Sequence, residues 1–158
     1  SAYHLVGRFF INKQLRGVDY LMSNPSIFTF TLTVPQSAID GYGHVNNVVY
    51  LQWMQDAATR HPESIPELKQ PENTGWYVRE HRIKYLSPAY LDDEIEVRTW
   101  ISEFKRVRGI RKYEFVRKAD GKIVVEGKTQ WVFIELTTGR PIPIPAEILA
   151  LIPVVADQ

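Results

Sequence analysis

One stretch narrows the possible folds more than any other: N-V-V-Y-L-Q-W-M-Q-D-A-A-T-R-H, residues 47–61. Tyr50, Trp53, Met54, Ala57 and Ala58 recur at the three-and-four spacing of one helical face. Val48, Val49 and Leu51 widen that face until only Gln52, Gln55, Asp56 and Thr59 remain as a narrow polar stripe. A helix so apolar around its girth is enclosed by other structure rather than laid on a surface. Asn46 or Asn47 offers an N-cap, and Pro62 is expected to stop the helix after His61.

The rest of the chain reads as strands. From Ile27, Phe28, Phe30, Leu32 and Val34 alternate with Thr29, Thr31 and Thr33 until Pro35 closes the run. A loop carrying Pro62, Pro66 and Pro71 follows the helix. Further strands are expected over residues 76–86, 94–102, 109–117 and 122–136, the last two joined through Asp120-Gly121. Residues 146–151 are expected to form one or two helical turns. The class is therefore α+β: an antiparallel sheet curved around one long central helix, the arrangement that hides the helix's girth. A second subunit is expected over the surfaces that remain.

Composition removes several functions. The 158 residues, 44% hydrophobic and 23% charged, suit one ordinary domain with a real core. A net charge of +1 gives no field for nucleic acid or an acidic membrane. Without cysteine there is no disulfide, thiolate metal site or cysteine nucleophile. The four histidines (4, 44, 61 and 81) lack ligand spacing, so neither metal nor cofactor is expected. No apolar run approaches the ~18 residues of a membrane span, and a cytoplasmic protein is expected. Residues 1–21 have no turn chemistry and too short an apolar run for a signal peptide. They read as an extraneous or mis-assigned start, with a native arm packing on a partner subunit as the alternative. Residues 22–158 then form a single domain.

The chemistry gathers just ahead of the helix, in D-G-Y-G-H-V-N-N, residues 40–47. Asp40, His44, Asn46 and Asn47 bring a carboxylate, an imidazole and two amides to a helix N-terminus. Free backbone N–H groups at such an end favour negative charge, which suits a developing oxyanion. An Asp before a Gly more often caps a turn. The motif's position before a buried helix favours catalysis for Asp40. His44 either orients Asp40 or a substrate, or satisfies a loop carbonyl; the two readings stand level. Of the asparagines, one caps the helix and one faces the site, with Asn47 preferred as the donor. Tyr50 sits where it would belong to the core or to an acyl pocket. Lys105, Arg106, Arg108, Arg111 and Lys112 straddle a turn between strands. They read as a solvated hairpin tip or as a cradle for several phosphates.

This order of elements, with D-G-Y-G-H-V-N-N-V-V-Y-L-Q-W entering the helix, resembles the hot-dog-fold thioesterases, in particular acyl-CoA thioesterases of the 4-hydroxybenzoyl-CoA thioesterase type. H-R-I-K-Y-L-S-P-A-Y-L-D-D-E-I-E-V and E-G-K-T-Q-W-V-F-I-E-L-T-T-G-R-P are similar to the same family, and the likeness runs from about residue 27 to about 148. The resemblance implies a hot-dog fold, hydrolysis of acyl-CoA to free acid and CoA, Asp40 as the catalytic carboxylate, and a backbone N–H near Asn47 polarising the thioester carbonyl. For such a substrate, the residues themselves offer Tyr50 and the cations Lys105, Arg106, Arg108 and Arg111 as candidate contacts, and the helix's uncovered faces point to a homodimer or homotetramer. The helix motif is also similar to that of plant acyl-ACP thioesterases. Those carry a catalytic Asn where this chain has Tyr42, and a Glu that falls near Pro88, so an ACP-specific enzyme is disfavoured. A hot-dog hydratase would space its Asp and His differently and follow them with a second acid. A non-catalytic acyl-CoA sensor has no need of Asp40. The thioesterase reading ranks first.

Overall fold

A computed structural model describes residues 26–157. The expectations for residues 1–21 lie outside that range. β1 (Phe28–Thr33) leads through a short 3-10 turn at Gln36–Ala38 into the long helix α1 (Asn47–Glu63). β2 (Thr74–Tyr85), β3 (Glu94–Phe104), β4 (Arg108–Arg117) and β5 (Lys122–Glu135) follow, and α2 (Ala146–Leu151) ends the regular structure. The strands form one five-stranded sheet in the order β1-β3-β4-β5-β2, every pairing antiparallel. This is the expected sheet wrapped around one long helix, the hot-dog fold.

Register decides which residues meet the helix. Phe30, Val97, Phe115, Val125 and Tyr85 lie in one row across the sheet, and Phe28, Thr99, Tyr113, Gly127 and Ile83 in the next. Against these rows α1 buries Tyr50, Trp53, Met54 and Ala57. Each large apolar side chain so removed from water contributes on the order of 1.5–3 kcal/mol. Packing of this kind, not helix propensity, holds a helix that opens on two valines. Gly127 marks the closest approach: a Cβ there would stand 2.9 Å from Met54 Sδ. The missing side chain lets the helix seat directly on the sheet.

One detail departs from the sequence reading. The helix runs through Pro62 to Glu63, because proline in a last turn forfeits one carbonyl bond while Ser64 N–H still reaches Arg60 O at 3.0 Å. As the polar stripe implied, Gln52, Gln55, Asp56 and Thr59 are open to solvent, and Val48 beside them is 68% exposed. A second apolar cluster lies past the C-terminal end of α1, where Ile101 and Phe133 of the sheet pack with Ile144, Ile148 and Ile152. The loop after α1 adds Ile65 and Leu68.

Candidate active site

The turn before α1 is built by its own backbone. Asp40 N–H donates to His44 O at 3.0 Å, Gly43 N–H returns to Asp40 O at 3.1 Å, and Ile39 bridges Val45. Gly43 has φ +82°, a left-handed conformation that side chains oppose. Tyr42 N–H donates to Asp40 Oδ1 at 2.8 Å, so one carboxylate oxygen is held in an Asx turn. The other, Oδ2, lies 3.9 Å from His44 Nδ1, with the two side chains 21% and 38% exposed. Asp40 is thus oriented by the turn and open on one side, as a base or nucleophile must be. His44 is further positioned by the Tyr42 ring, stacked on it at 6.2 Å.

The two asparagines take different places. Asn46 is the N-cap, its Oδ1 accepting from Val48 N–H at 3.1 Å. Asn47 begins the helix, and its N–H makes no hydrogen bond among the described residues. A free N–H at the first turn, with the helix dipole behind it, is a donor for an oxyanion. The Asn47 carbonyl accepts from the Tyr85 hydroxyl at 3.0 Å, which fixes the end of β2 against the helix start. Tyr85 was not singled out in the sequence. Its signal was there in the alternation of His81, Ile83 and Tyr85, which puts all three on the helix side of the sheet.

Tyr50 sits deep in the core, edge-on to Trp53, Tyr85 and Phe115, and is 2% exposed. Its hydroxyl has no hydrogen-bond partner among the described residues, and burial, with Asp93 nearby, pushes the phenol up to about 12. It is a neutral donor facing a crowded interior.

The cation group does not stay together. Lys105, Arg106 and Arg108 are exposed on the β3–β4 hairpin, Lys105 within 3.3 Å of Glu103, while Lys112 pairs with Asp157 near the C-terminus. Arg111 is 5% exposed and faces the helix, because strand alternation turns it inward with Tyr113 and Phe115. It does not share a surface with the other three. The hairpin also lies at the far end of the sheet from Asp40. β3 begins beside the turn that carries Asp40, where Val34 N–H reaches Asp93 O at 2.9 Å, and runs eleven residues away from it, about 35 Å at ~3.3 Å per residue. Within one chain these cations and Asp40 are not brought together. No group of three or more His, Cys, Asp or Glu among the described residues is arranged to hold a metal ion. No helix among them is long and apolar enough to cross a membrane.

The profile of the thioesterase-like superfamily matches residues 34–152. Among curated proteins, the long-chain acyl-CoA thioesterase FadM of Escherichia coli K12 is 24% identical over 112 residues, covering 70% of this chain and 85% of its own length. Among solved structures, Slr0204 of Synechocystis, a 1,4-dihydroxy-2-naphthoyl-CoA thioesterase, superposes with a TM-score of 0.73 at 21% identity, covering 80% of this chain and 95% of that one. SAV2348 of Staphylococcus aureus, solved in complex with CoA, gives 0.72 at 23% identity, covering 80% and 81%.

Proposed function

This chain belongs to the thioesterase-like superfamily, and from that premise we propose that it hydrolyses an acyl-CoA thioester to the free acid and CoA. The observation that carries the reading is the pairing of Asp40, held by one oxygen and open at the other, with the unbonded N–H of Asn47 at the start of α1. The names of FadM and Slr0204 support the class of reaction, and the CoA held by SAV2348 supports the carrier.

The thioester carbonyl oxygen sits at the Asn47 N–H, which stabilises the charge that builds there as the carbon becomes tetrahedral. Asp40 either takes a proton from water, whose oxygen then attacks the carbon, or attacks it directly and forms an anhydride that water opens. In both routes the carbon–sulfur bond breaks and CoA leaves as a thiolate that takes up a proton. His44, within 3.9 Å of Asp40, orients the carboxylate.

The site is completed by a second copy of the chain. Tyr42 (87% exposed), Val48 (68%) and Leu86 (54%) leave an apolar surface around the catalytic turn, which a partner subunit would cover. The same arrangement would let the partner's hairpin lend its cations to the CoA phosphates, which Lys105, Arg106 and Arg108 cannot do for Asp40 of their own chain. Light scattering at micromolar concentration tests this, and a stable monomer with full activity would end it. For the reaction, thiol release from a panel of acyl-CoA esters is decisive. Turnover of at least one ester is expected, and none on any would defeat the reading. Acyl-ACP as carrier is the second reading, tested by the same assay with matched acyl-ACP.

A further inference from the structure

Two arginines are buried in the sheet, and they are compensated differently. Arg98, 1% exposed, donates to Glu96 at 2.6 Å and to Glu114 at 3.4 Å. Arg111 has no carboxylate among the ion pairs of the described residues. One terminal nitrogen, Nη1, donates to His61 Nδ1 at 2.9 Å and to Thr99 Oγ1 at 3.1 Å. His61 accepts that bond and is therefore neutral at Nδ1. A guanidinium does not give up its proton in a protein. A single buried charge of this kind costs several kcal/mol unless something balances it.

What lies beside Arg111 is a cavity of about 250 Å³. Its walls are apolar: Ala58 and Pro62 of α1, Trp76 and Phe104 of the sheet, Ile148 and Ile152 at α2. The indole Nε1 of Trp131, also in the lining, is buried close to the Tyr113 hydroxyl. Lys69 and Gln70, both exposed, form the mouth. The two Nη1 protons of Arg111 are committed to His61 and Thr99. The Nε and Nη2 edge, which makes no hydrogen bond among the described residues, is the fork that grips a carboxylate through two parallel bonds.

We propose that this cavity binds a small apolar monocarboxylate, its carboxylate on Arg111 and its carbon body against Trp76, Phe104 and Ile148. The size fits, since a cavity of roughly 150 Å³ holds benzene and this one is larger. The site is separate from the catalytic turn. Ala58 stands eleven residues along α1 from Asn47, about 16 Å at ~1.5 Å per residue. Between them Met54 closes on Gly127 and Tyr113. The inference therefore stands or falls independently of thioester hydrolysis.

Calorimetry with the full chain tests it, using sodium octanoate and sodium benzoate beside octanamide and benzamide. Binding of either acid, tighter than its amide by about tenfold or more, is expected from a charge-assisted pair. Arg111→Met should abolish that preference by weakening the acid more than the amide. Ile148→Trp, which narrows the cavity from the α2 side, should abolish binding of acid and amide alike and serves if Arg111→Met does not fold. No binding of either acid at millimolar concentration would overturn the proposal. So would acid binding that a folded Ile148→Trp protein retains, the result expected if the acid goes to the catalytic turn instead.

Discussion

The two ends of α1 hold similar groups in opposite circumstances. At the N-terminal end a carboxylate and an imidazole, Asp40 and His44, sit 3.9 Å apart on a turn that reaches solvent. At the C-terminal end an imidazole and a guanidinium, His61 and Arg111, meet at 2.9 Å with exposures of 7% and 5%. The open end keeps its polar groups hydrated and one carboxylate oxygen uncommitted, which suits proton transfer. The closed end commits its polar groups to one another and leaves a charge without a counterion, which suits recognition. On the two proposals above, one helix carries a site for chemistry at one end and a site for binding at the other, and the packed middle keeps them apart.

Removing the basic oxygen from the open end gives the largest effect. Asp40→Asn keeps an oxygen for the Tyr42 N–H, so the turn and fold should survive. Turnover should fall by about 10²–10⁴-fold with acyl-CoA affinity little changed. A folded variant hydrolysing at near wild-type rate would leave Asp40 a turn residue and nothing more.

The packed middle comes next. Gly127→Ala puts a methyl 2.9 Å from Met54 Sδ and 3.3 Å from Tyr113. Met54 is flexible and can give, so the expected loss of stability is about 1–3 kcal/mol, read from urea unfolding, rather than failure to fold. A variant as stable as the wild type would mean that the helix is not seated on the sheet as described.

The hairpin cations test whether the two ends meet across a subunit boundary. Neutralising Lys105, Arg106 and Arg108 together should raise KM for acyl-CoA several-fold and leave kcat nearly unchanged. The CoA phosphates are held alike in the ground state and the transition state. An unchanged KM would confine the hairpin to its own end of the molecule.

The open end was legible in the sequence and the closed end was not, for a physical reason. Asp40, His44, Asn46 and Asn47 lie within eight residues, so chain connectivity alone brings them together. The strands were legible from alternation to within a few residues, as Phe28, Phe30 and Leu32 show. His61 and Arg111 are fifty residues apart, joined only by sheet register. Arg111 sits in a run of cations, and charge pattern favours a solvated tip. Its alternation with Tyr113 and Phe115 carried the contrary signal, but Lys112 and Glu114 made the opposite face look no less polar.

Acid should therefore act on the closed end in a recognisable way. Burial, and then Arg111, hold His61 near pKa 4 in the folded chain against 6.5 for a free imidazole. Below 6.5 the unfolded chain takes up a proton that the folded chain refuses. The stability from neutral His61 is present in full above 6.5 and is lost as pH falls toward 4. His61→Asn keeps an acceptor where Nδ1 stood and does not titrate, so its melting temperature should fall less steeply over that window. Equal slopes for the two proteins would show that other groups carry the acid sensitivity.

The smallest effect separates the cap from the donor at the open end. Asn46→Ala removes the acceptor for Val48 N–H and should cost about 1 kcal/mol, with Asn46→Asp costing less because a carboxylate caps equally well and suits the dipole. A loss of that size lowers the melting temperature of a domain of this length by roughly 2–4 °C. Asn47→Ala, by contrast, deletes a side chain but not the backbone N–H assigned to the oxyanion, so kcat should stay within a few-fold of wild type. If Asn47→Ala instead lowers kcat by ten-fold or more while the melting temperature holds, the donor is the side-chain amide. The open end would then resemble the closed one, with recognition built from a side chain rather than from the helix itself.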